Sequence, residues 1–555
     1  MMRKLLLLKL LVFFALHHTA QTSYNTFWIQ FKDKHNSAFS LSKPNQFLSE
    51  KAVERRLNWG IGFDSLDLPV NQNYIDQVLN IGSSQLLLKS KWFNSITVQI
   101  NDTSSSSVSI WLNQVNQLEC VLQVRSLENI IQGGKVKSMQ GVQTAQENQT
   151  HSYGDSYRQV EMLNGHFLHD LGFEGQGVDL AVFDGGFLFA DELPAMKHLF
   201  TEGRIKSQHD LLHFNSAEVY DASTHGMMVL SHMAGIIPDS LYGTATQANY
   251  YLFQTEDVFQ EVRLEEDTWI QAAEMADSIG VDVINSSLGY SLFDFESMSY
   301  LPVDMNGQTT RISQAANICA MKGTLVVNSA GNSGASAWHA ITAPSDAEHV
   351  LSIGAVDANE IHASFSGYRP PNGPFVKPNV VAMGRQTVYA AYDSTIARGN
   401  GTSFSSPIIA GLSACLMQAF PQVSNLKIKD VIERSASLYE TPNDSMGYGV
   451  PDFWKAFLML SQEQNGFNEN ENILVYPQPS AGIFEVRIKS NMVTPKVYLF
   501  NATGGSIRIT RPYFNQLENE WFRIEVDLSD QAAGTYYLMV HENDEILTTP
   551  LIRME

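Results

Sequence analysis

Cysteine is nearly absent from this chain: Cys120, Cys319 and Cys415 are the only three in 555 residues. That scarcity excludes a disulfide-stapled scaffold and any zinc site built on paired cysteine ligands. Basic residues are also few, with 36 Lys and Arg against 58 Asp and Glu and a formal net charge of −22. This balance disfavours nucleic-acid backbones and anionic membranes as general partners, because their phosphates would be repelled. Long apolar runs are confined to the extreme amino terminus. Beyond it nothing reaches the roughly 20 apolar residues that cross a bilayer. His225 and His232 stand at i and i+7 rather than at the i and i+4 of the metalloprotease pattern.

What is there begins with Arg3 and Lys4, an apolar run from Leu5 to Phe14 broken only by Lys9, and the small or polar Thr19-Ala20-Gln21. This order predicts a signal peptide over residues 1–20, cut after Ala20. The pattern then divides the chain. Residues 21–150 read as a small α+β domain, with strands at 26–31 and 96–100 and helices at 47–56 and 108–118, ending in a polar, cleavable tract from Lys135 to Tyr153. Residues 151–465 alternate helical and strand patterns: Val178 to Phe183, Val281 to Asn285, Thr324 to Asn328 and Val350 to Gly354 as strands, Trp269 to Ile279 and Ile312 to Met321 as helices. Such alternation predicts an α/β three-layer sandwich with a mainly parallel central sheet. A linker, 466–474, leads to residues 475–555, where period-two strands between turns predict a small β-sandwich.

Open parallel sheets place their chemistry at the carboxyl ends of the strands. Asp184 lies at such an end, followed by Gly185-Gly186, and Ser287-Leu288-Gly289 and Ser329-Ala330-Gly331-Asn332 follow two others. His225, in Thr224-His225-Gly226, precedes the helical run Met227 to Leu230. Ser403, in Gly401-Thr402-Ser403-Phe404-Ser405-Ser406-Pro407, stands before a helix predicted over 406–417, whose small residues Ala410, Gly411 and Ala414 permit close packing. An acid, a base and a nucleophile on rigid mounts form a candidate Asp-His-Ser relay for acyl transfer. Asn332 is a candidate oxyanion donor through its side-chain amide. Taken singly, each has a plainer reading: Asp184 as a turn or cap, His225 as a satisfied core imidazole, Ser403 as a helix cap and Asn332 as a turn residue.

Together these segments, in this order, resemble the subtilisin-like serine proteases. The family's His-Gly-Thr stands here as His225-Gly226-Met227, its Gly-Thr-Ser-Met-Ala-x-Pro as Gly401 to Pro407, and its Asp-Ser or Asp-Thr-Gly as Asp184-Gly185-Gly186. The resemblance implies a secreted endopeptidase with Asp184, His225, Ser403 and Asn332 in the catalytic roles. It also implies that Ser287, Leu288 and Gly289 pair with an extended peptide, and that Ser329, Ala330 and Gly331 form a specificity pocket with room for a sizeable apolar group. Residues 21–150 resemble the family's inhibitory propeptide, on Ser90-Lys91-Trp92-Phe93-Asn94 and Asp67-Leu68-Pro69-Val70. Residues 475–555 resemble the carboxyl-terminal sorting domain of the Bacteroidetes type nine secretion system, on Tyr476 to Gly482, Asp527-Leu528-Ser529 and Ala533 to Tyr537.

The expected partners are a protein or peptide substrate, the chain's own propeptide as intramolecular inhibitor and the type nine secretion machinery, with no nucleic acid. The expected location is secreted or at the cell surface, after export through the inner membrane and then across the outer membrane. The chemistry requires no cofactor. Structural calcium, frequent in the family, is allowed by acidic positions such as Asp191, Asp210 and Glu265, but no compact ligand motif locates it, so the metal site is unknown. A noncatalytic surface or adhesion protein on the same scaffold is the alternative function, and an esterase using the same relay is a third.

Overall fold

The computed structural model describes residues 25–102, 104–127, 153–213, 218–465, 473–489, 496–502, 505–507, 515–516, 521–542 and 545–554. The expected signal peptide, the polar tract from Lys135 up to Tyr153 and most of the linker lie outside the described residues. Two compact units result: one takes its described residues from 25–43, 63–127 and 262–267, the other from 44–62, 153–261 and 268–554.

The first unit is a four-stranded antiparallel sheet in the order Ser84–Ser90, Ser95–Ile100, Thr26–Phe31, Val121–Leu127. Helices Gln72–Leu79 and Ser105–Asn116 supply Ile75, Val78, Trp111 and Val115 to a core with Phe27, Ile29, Phe31, Ile96 and Val98. The alternating apolar positions of the two central strands create that face. The strand Val121–Leu127 escapes the sequence reading, because Gln123, Arg125 and Ser126 interrupt its apolar pattern.

The second unit is built on a seven-stranded, wholly parallel sheet. Its order is Val380–Met383, Leu351–Val356, Leu325–Ser329, Val283–Ser286, Asp179–Asp184, Asn249–Gln254, Ile205–Asp210. The central strands are buried throughout and read as continuous apolar runs, as expected for a sheet covered by helices on both faces. The helix Thr402–Ala419 packs along four of these strands and against the helix His225–Ala234. It begins four residues before the start expected from sequence, so Pro407 lies inside it rather than at its first turn. Gly411 sits where a Cβ would come within 2.0 Å of Thr244 Oγ1, which explains one of the small residues on this helix. Behind the Asp184 strand, Phe183 meets Phe253 and Trp269 edge-on at 5.2 and 5.6 Å, and such pairs add about 0.5–1.5 kcal/mol each. The strand end that carries Asp184 is thereby held rigid.

Residues beyond 472 form two small antiparallel sheets. One orders Ile473–Tyr476, Ile483–Lys489, Trp521–Asp527 and Asn515–Gln516, the other Lys496–Asn501, Gly534–Glu542 and Glu545–Arg553. Phe484, Val486, Ile488, Ile524, Val526, Leu538 and Val540 fill the space between them. All three cysteines are buried, and none of them is in a disulfide. Among the described residues no helix is long and apolar enough to cross a membrane.

Candidate active site

Asp184 ends its strand fully buried, and His225 opens its helix. Asp184 Oδ1 lies 2.8 Å from His225 Nδ1 and also accepts the Gly185 N–H at 2.8 Å, while Oδ2 has no partner among the described residues. Two glycines make the approach feasible. A Cβ on Gly226 would stand 2.4 Å from the Gly186 carbonyl and 2.9 Å from Asp184 Cβ, and Gly226 N–H donates to that same carbonyl at 3.1 Å. Gly186, at φ +123°, closes the turn where a side chain would strike Ser223 N and Ala222 Cβ. Gly185 has its own reason, since a Cβ there would meet Val258 Cγ1 at 2.6 Å.

Burial works against a charged imidazole at His225. The Asp184 carboxylate, its hydrogen bond and Glu256 outweigh that and push His225 up to about 9. Glu256, half-buried just beyond the strand Asn249–Gln254, is raised to about 7 by burial first and then by Asp184 and Asp257, with His225 opposing. Phe404 stacks on the far side, its ring 6.2 Å from His225 and 5.0 Å from His232. His232 is deeply buried, which holds it down to about 4, so it stays neutral beside the charged ring.

Ser403 occupies the first turn of its helix and is 8% exposed. Its Oγ donates to the Ser287 carbonyl at 3.3 Å, and its own carbonyl accepts from Ser287 Oγ at 3.0 Å. Ser403 and His225 are not hydrogen-bonded to each other; Ser403 Oγ is given to the Ser287 carbonyl. Asn285 braces both segments: its amide nitrogen donates to Ser287 Oγ at 3.2 Å and its amide oxygen accepts from Ser406 Oγ at 2.8 Å.

Asn332 is held by its oxygen. Thr402 N and Thr402 Oγ1 both donate to Asn332 Oδ1, at 2.9 and 3.0 Å. The amide nitrogen is left facing outward, and it and Ser403 Cβ both lie 3.8 Å from the point where a Cβ on Gly401 would sit. The neighbouring Asn328 is buried and spent on the Leu288 and Ser329 carbonyls at 3.0 and 2.8 Å.

Ser329 and Ala330 are buried at the end of their strand, and Gly331 follows at φ +92°. Ser287 and Leu288 are also buried, with their carbonyls taken by Ser403 and Asn328, so Gly289 is the exposed residue of that segment. Thr342 lies between the two segments: Cβ atoms on Gly289 and Gly331 would come within 2.0 and 2.8 Å of its Oγ1, which has no partner among the described residues.

A profile of the subtilase family matches residues 175–449, the stretch that contains all of these groups. The chain belongs to the subtilase family. A Bacteroidota peptidase S8 propeptide domain matches residues 26–146, and a secretion system C-terminal sorting domain matches residues 474–553. Subtilisin BL of Lederbergia lenta is 28% identical over 50% of this chain and 89% of its own length. M-protease of Shouchella clausii (strain KSM-K16) is 28% identical over 48% of this chain and 61% of its own length. A solved structure of a protease from Pseudoalteromonas arctica PAMC 21717 covers 55% of this chain and 97% of that one, at 21% identity and a TM-score of 0.43. This subtilase is thus of the serine-protease type, with a propeptide domain before and a sorting domain after.

Several residues around the subtilase site escaped the sequence reading. Thr402 orients Asn332, Thr342 fills the space beside Gly289 and Gly331, Asn285 braces Ser287, and Glu256 adds charge near His225. Thr402 and Asn285 carried a signal, as polar residues flush against Ser403 and Ser287. Glu256 and Thr342 carried none, because only the fold brings them in. Among the described residues no three His, Cys, Asp or Glu side chains converge as they would on a metal ion.

Proposed function

We propose that this subtilase is the precursor of a secreted endopeptidase in which Ser403 attacks the peptide carbonyl. His225 takes the hydroxyl proton, Asp184 fixes the imidazole tautomer and stabilises its charged form, and the acyl-enzyme is released by water activated at His225. The observation that carries this reading is the 2.8 Å contact of Asp184 with His225, and an Asn332 amide whose oxygen is tied back by Thr402 supports it. The developing oxyanion would take that amide and a backbone N–H near Ser403. Gly289 would pair with an extended substrate, and Ser329, Ala330 and Gly331 would line the pocket for the residue before the cut bond. Thr342 reduces the room expected from those small residues, so the pocket suits a medium-sized side chain. Thr342→Ala should shift preference in a peptide library toward larger groups, and an unchanged profile would remove Thr342 from the pocket.

Export would begin with removal of residues 1–20 and be completed by the type nine machinery acting on the sorting domain. Residues 21 to about 150 would block the site until they are cut away. The deciding experiment is labelling with a serine-directed phosphonate after maturation. An endopeptidase is labelled at Ser403, and Ser403→Ala neither reacts nor matures itself. A mature protein that stays unlabelled and hydrolyses no protein would instead be a noncatalytic scaffold.

A further inference from the structure

The helix Glu50–Asn58 lies inside the stretch matched by the propeptide domain, yet it packs in the same compact unit as the subtilase sheet. One face carries Lys51 and Arg55, and beside them Ala52 and Arg56, each pair at i and i+4. Every basic group on that face meets an acceptor. Lys51 Nζ reaches Asp179 Oδ2 at 2.5 Å and Asp282 Oδ2 at 2.6 Å. Arg55 Nη1 donates to the Val281 carbonyl at 2.6 Å, and Arg56 Nη2 to Asp277 Oδ1 at 2.6 Å with both partners fully buried.

The helix start is docked as closely. Ser49 caps it through Ala52 N–H at 3.1 Å, while its own N–H and Oγ donate to the Ser278 and Ile279 carbonyls at 2.8 and 2.6 Å. Those carbonyls belong to the last turn of the helix Leu264–Ile279, where carbonyls lack intrahelical donors and form a negative pole that favours cations. Gly280, at φ +90°, permits the contact, because a Cβ there would stand 2.8 Å from Ala52 N. Glu54, Asn58 and Trp59 face Gln176, Met417 and Pro421 across a cleft of about 360 Å³, so this flank of the seam is open. Asp179 and Asp282 stand at the amino ends of their strands, opposite the end that bears Asp184 and roughly 16 Å away along the strand.

We infer that Asp179, Asp277 and Asp282, with the carbonyl end of the helix Leu264–Ile279, form a docking exosite for the basic face of residues 44–62. This exosite keeps the propeptide bound after the connecting chain is cut. The inference rests on residues 26–146 being a propeptide, and not on which serine is the nucleophile. Retention at a site remote from Ser403 would let the propeptide be released by changes in charge or salt while the catalytic groups stay untouched.

The test uses the full chain carrying Ser403→Ala, with a recognition sequence for a site-specific protease inserted between Lys135 and Tyr153. After cutting, gel filtration should show the two fragments eluting together. Arg55→Glu with Arg56→Glu should weaken their association at least about 100-fold, as expected for breaking a buried charge pair. Exchanging the pair, Arg56→Asp with Asp277→Arg, should recover about tenfold or more. Lys51→Glu is the milder variant for use if the double change prevents folding, and it should speed dissociation several-fold. Fragments that separate with the exosite intact, or that stay together after charge reversal, would overturn the proposal. Co-eluting fragments from a chain whose wild type takes no phosphonate would refute the endopeptidase and leave the exosite standing.

Discussion

Ser287 and Ser403 exchange two hydrogen bonds, Ser287 Oγ to the Ser403 carbonyl at 3.0 Å and Ser403 Oγ to the Ser287 carbonyl at 3.3 Å. The first follows from Pro407. Four residues along the helix a proline offers no N–H, so the Ser403 carbonyl has no helical donor and takes one from the neighbouring strand end. A proline that would otherwise only weaken the helix thus tethers Ser403 to the sheet.

Ser287→Ala should therefore strand a buried carbonyl and cost about 1–3 kcal/mol of stability. Chemical denaturation in the Ser403→Ala background measures this without self-cleavage. A variant as stable as its parent would show that the tether contributes nothing.

Asn332→Ala should lower kcat by about 10²–10³ with little change in KM, since the amide is invoked only for the charge that develops on the oxyanion. Thr402→Val should cause a smaller fall, because the Thr402 N–H still holds the amide oxygen when the hydroxyl is gone. Steady-state kinetics on one peptide substrate separates the two. A rise in KM at constant kcat would assign Asn332 to substrate binding instead.

The parts of this site legible in the sequence were those that sit on periodic elements. Asp184 follows a continuous apolar run, His225 and Ser403 begin helices, and Ser329 ends a strand, so their neighbourhoods announced them. The helix begins at Thr402, before the 406 expected from sequence, because the bond that Pro407 withholds from the Ser403 carbonyl is replaced by Ser287 Oγ, which no local pattern announces. Thr342 and Glu256 were invisible for a different reason. Each sits in a loop with no pattern of its own, and its importance comes from a long-range approach, to Gly289 and Gly331 or to Asp184 and His225.

Two substitutions probe the Asp184 to His225 contact from opposite sides. Asp184→Asn keeps the shape but favours the wrong tautomer, and should cost about 10⁴ in turnover. Gly226→Ala keeps the chemistry but drives a methyl group to within 2.4 Å of the Gly186 carbonyl, so it should lower both stability and activity. Thermal unfolding beside turnover distinguishes them. Asp184→Asn melting far below wild type, or Gly226→Ala melting with it, would contradict these assignments.

The pH dependence carries two opposite signs. His225 must be neutral to accept the Ser403 proton, and its value of about 9 means that the free enzyme gains activity as pH rises toward that range rather than near the ordinary imidazole value of 6.5. Stability runs the other way: the folded state binds a proton more tightly than the unfolded chain, so this group's contribution is complete below 6.5 and is lost as pH climbs through about 9. Glu256 raises His225 and so belongs to the same balance. Glu256→Gln removes that charge, and should move the acid limb of the kcat/KM profile to lower pH while Asp184 still keeps it above the ordinary imidazole range. A profile measured on both proteins at fixed ionic strength decides the matter, since an acid limb unmoved by Glu256→Gln would show that Glu256 does not act on His225.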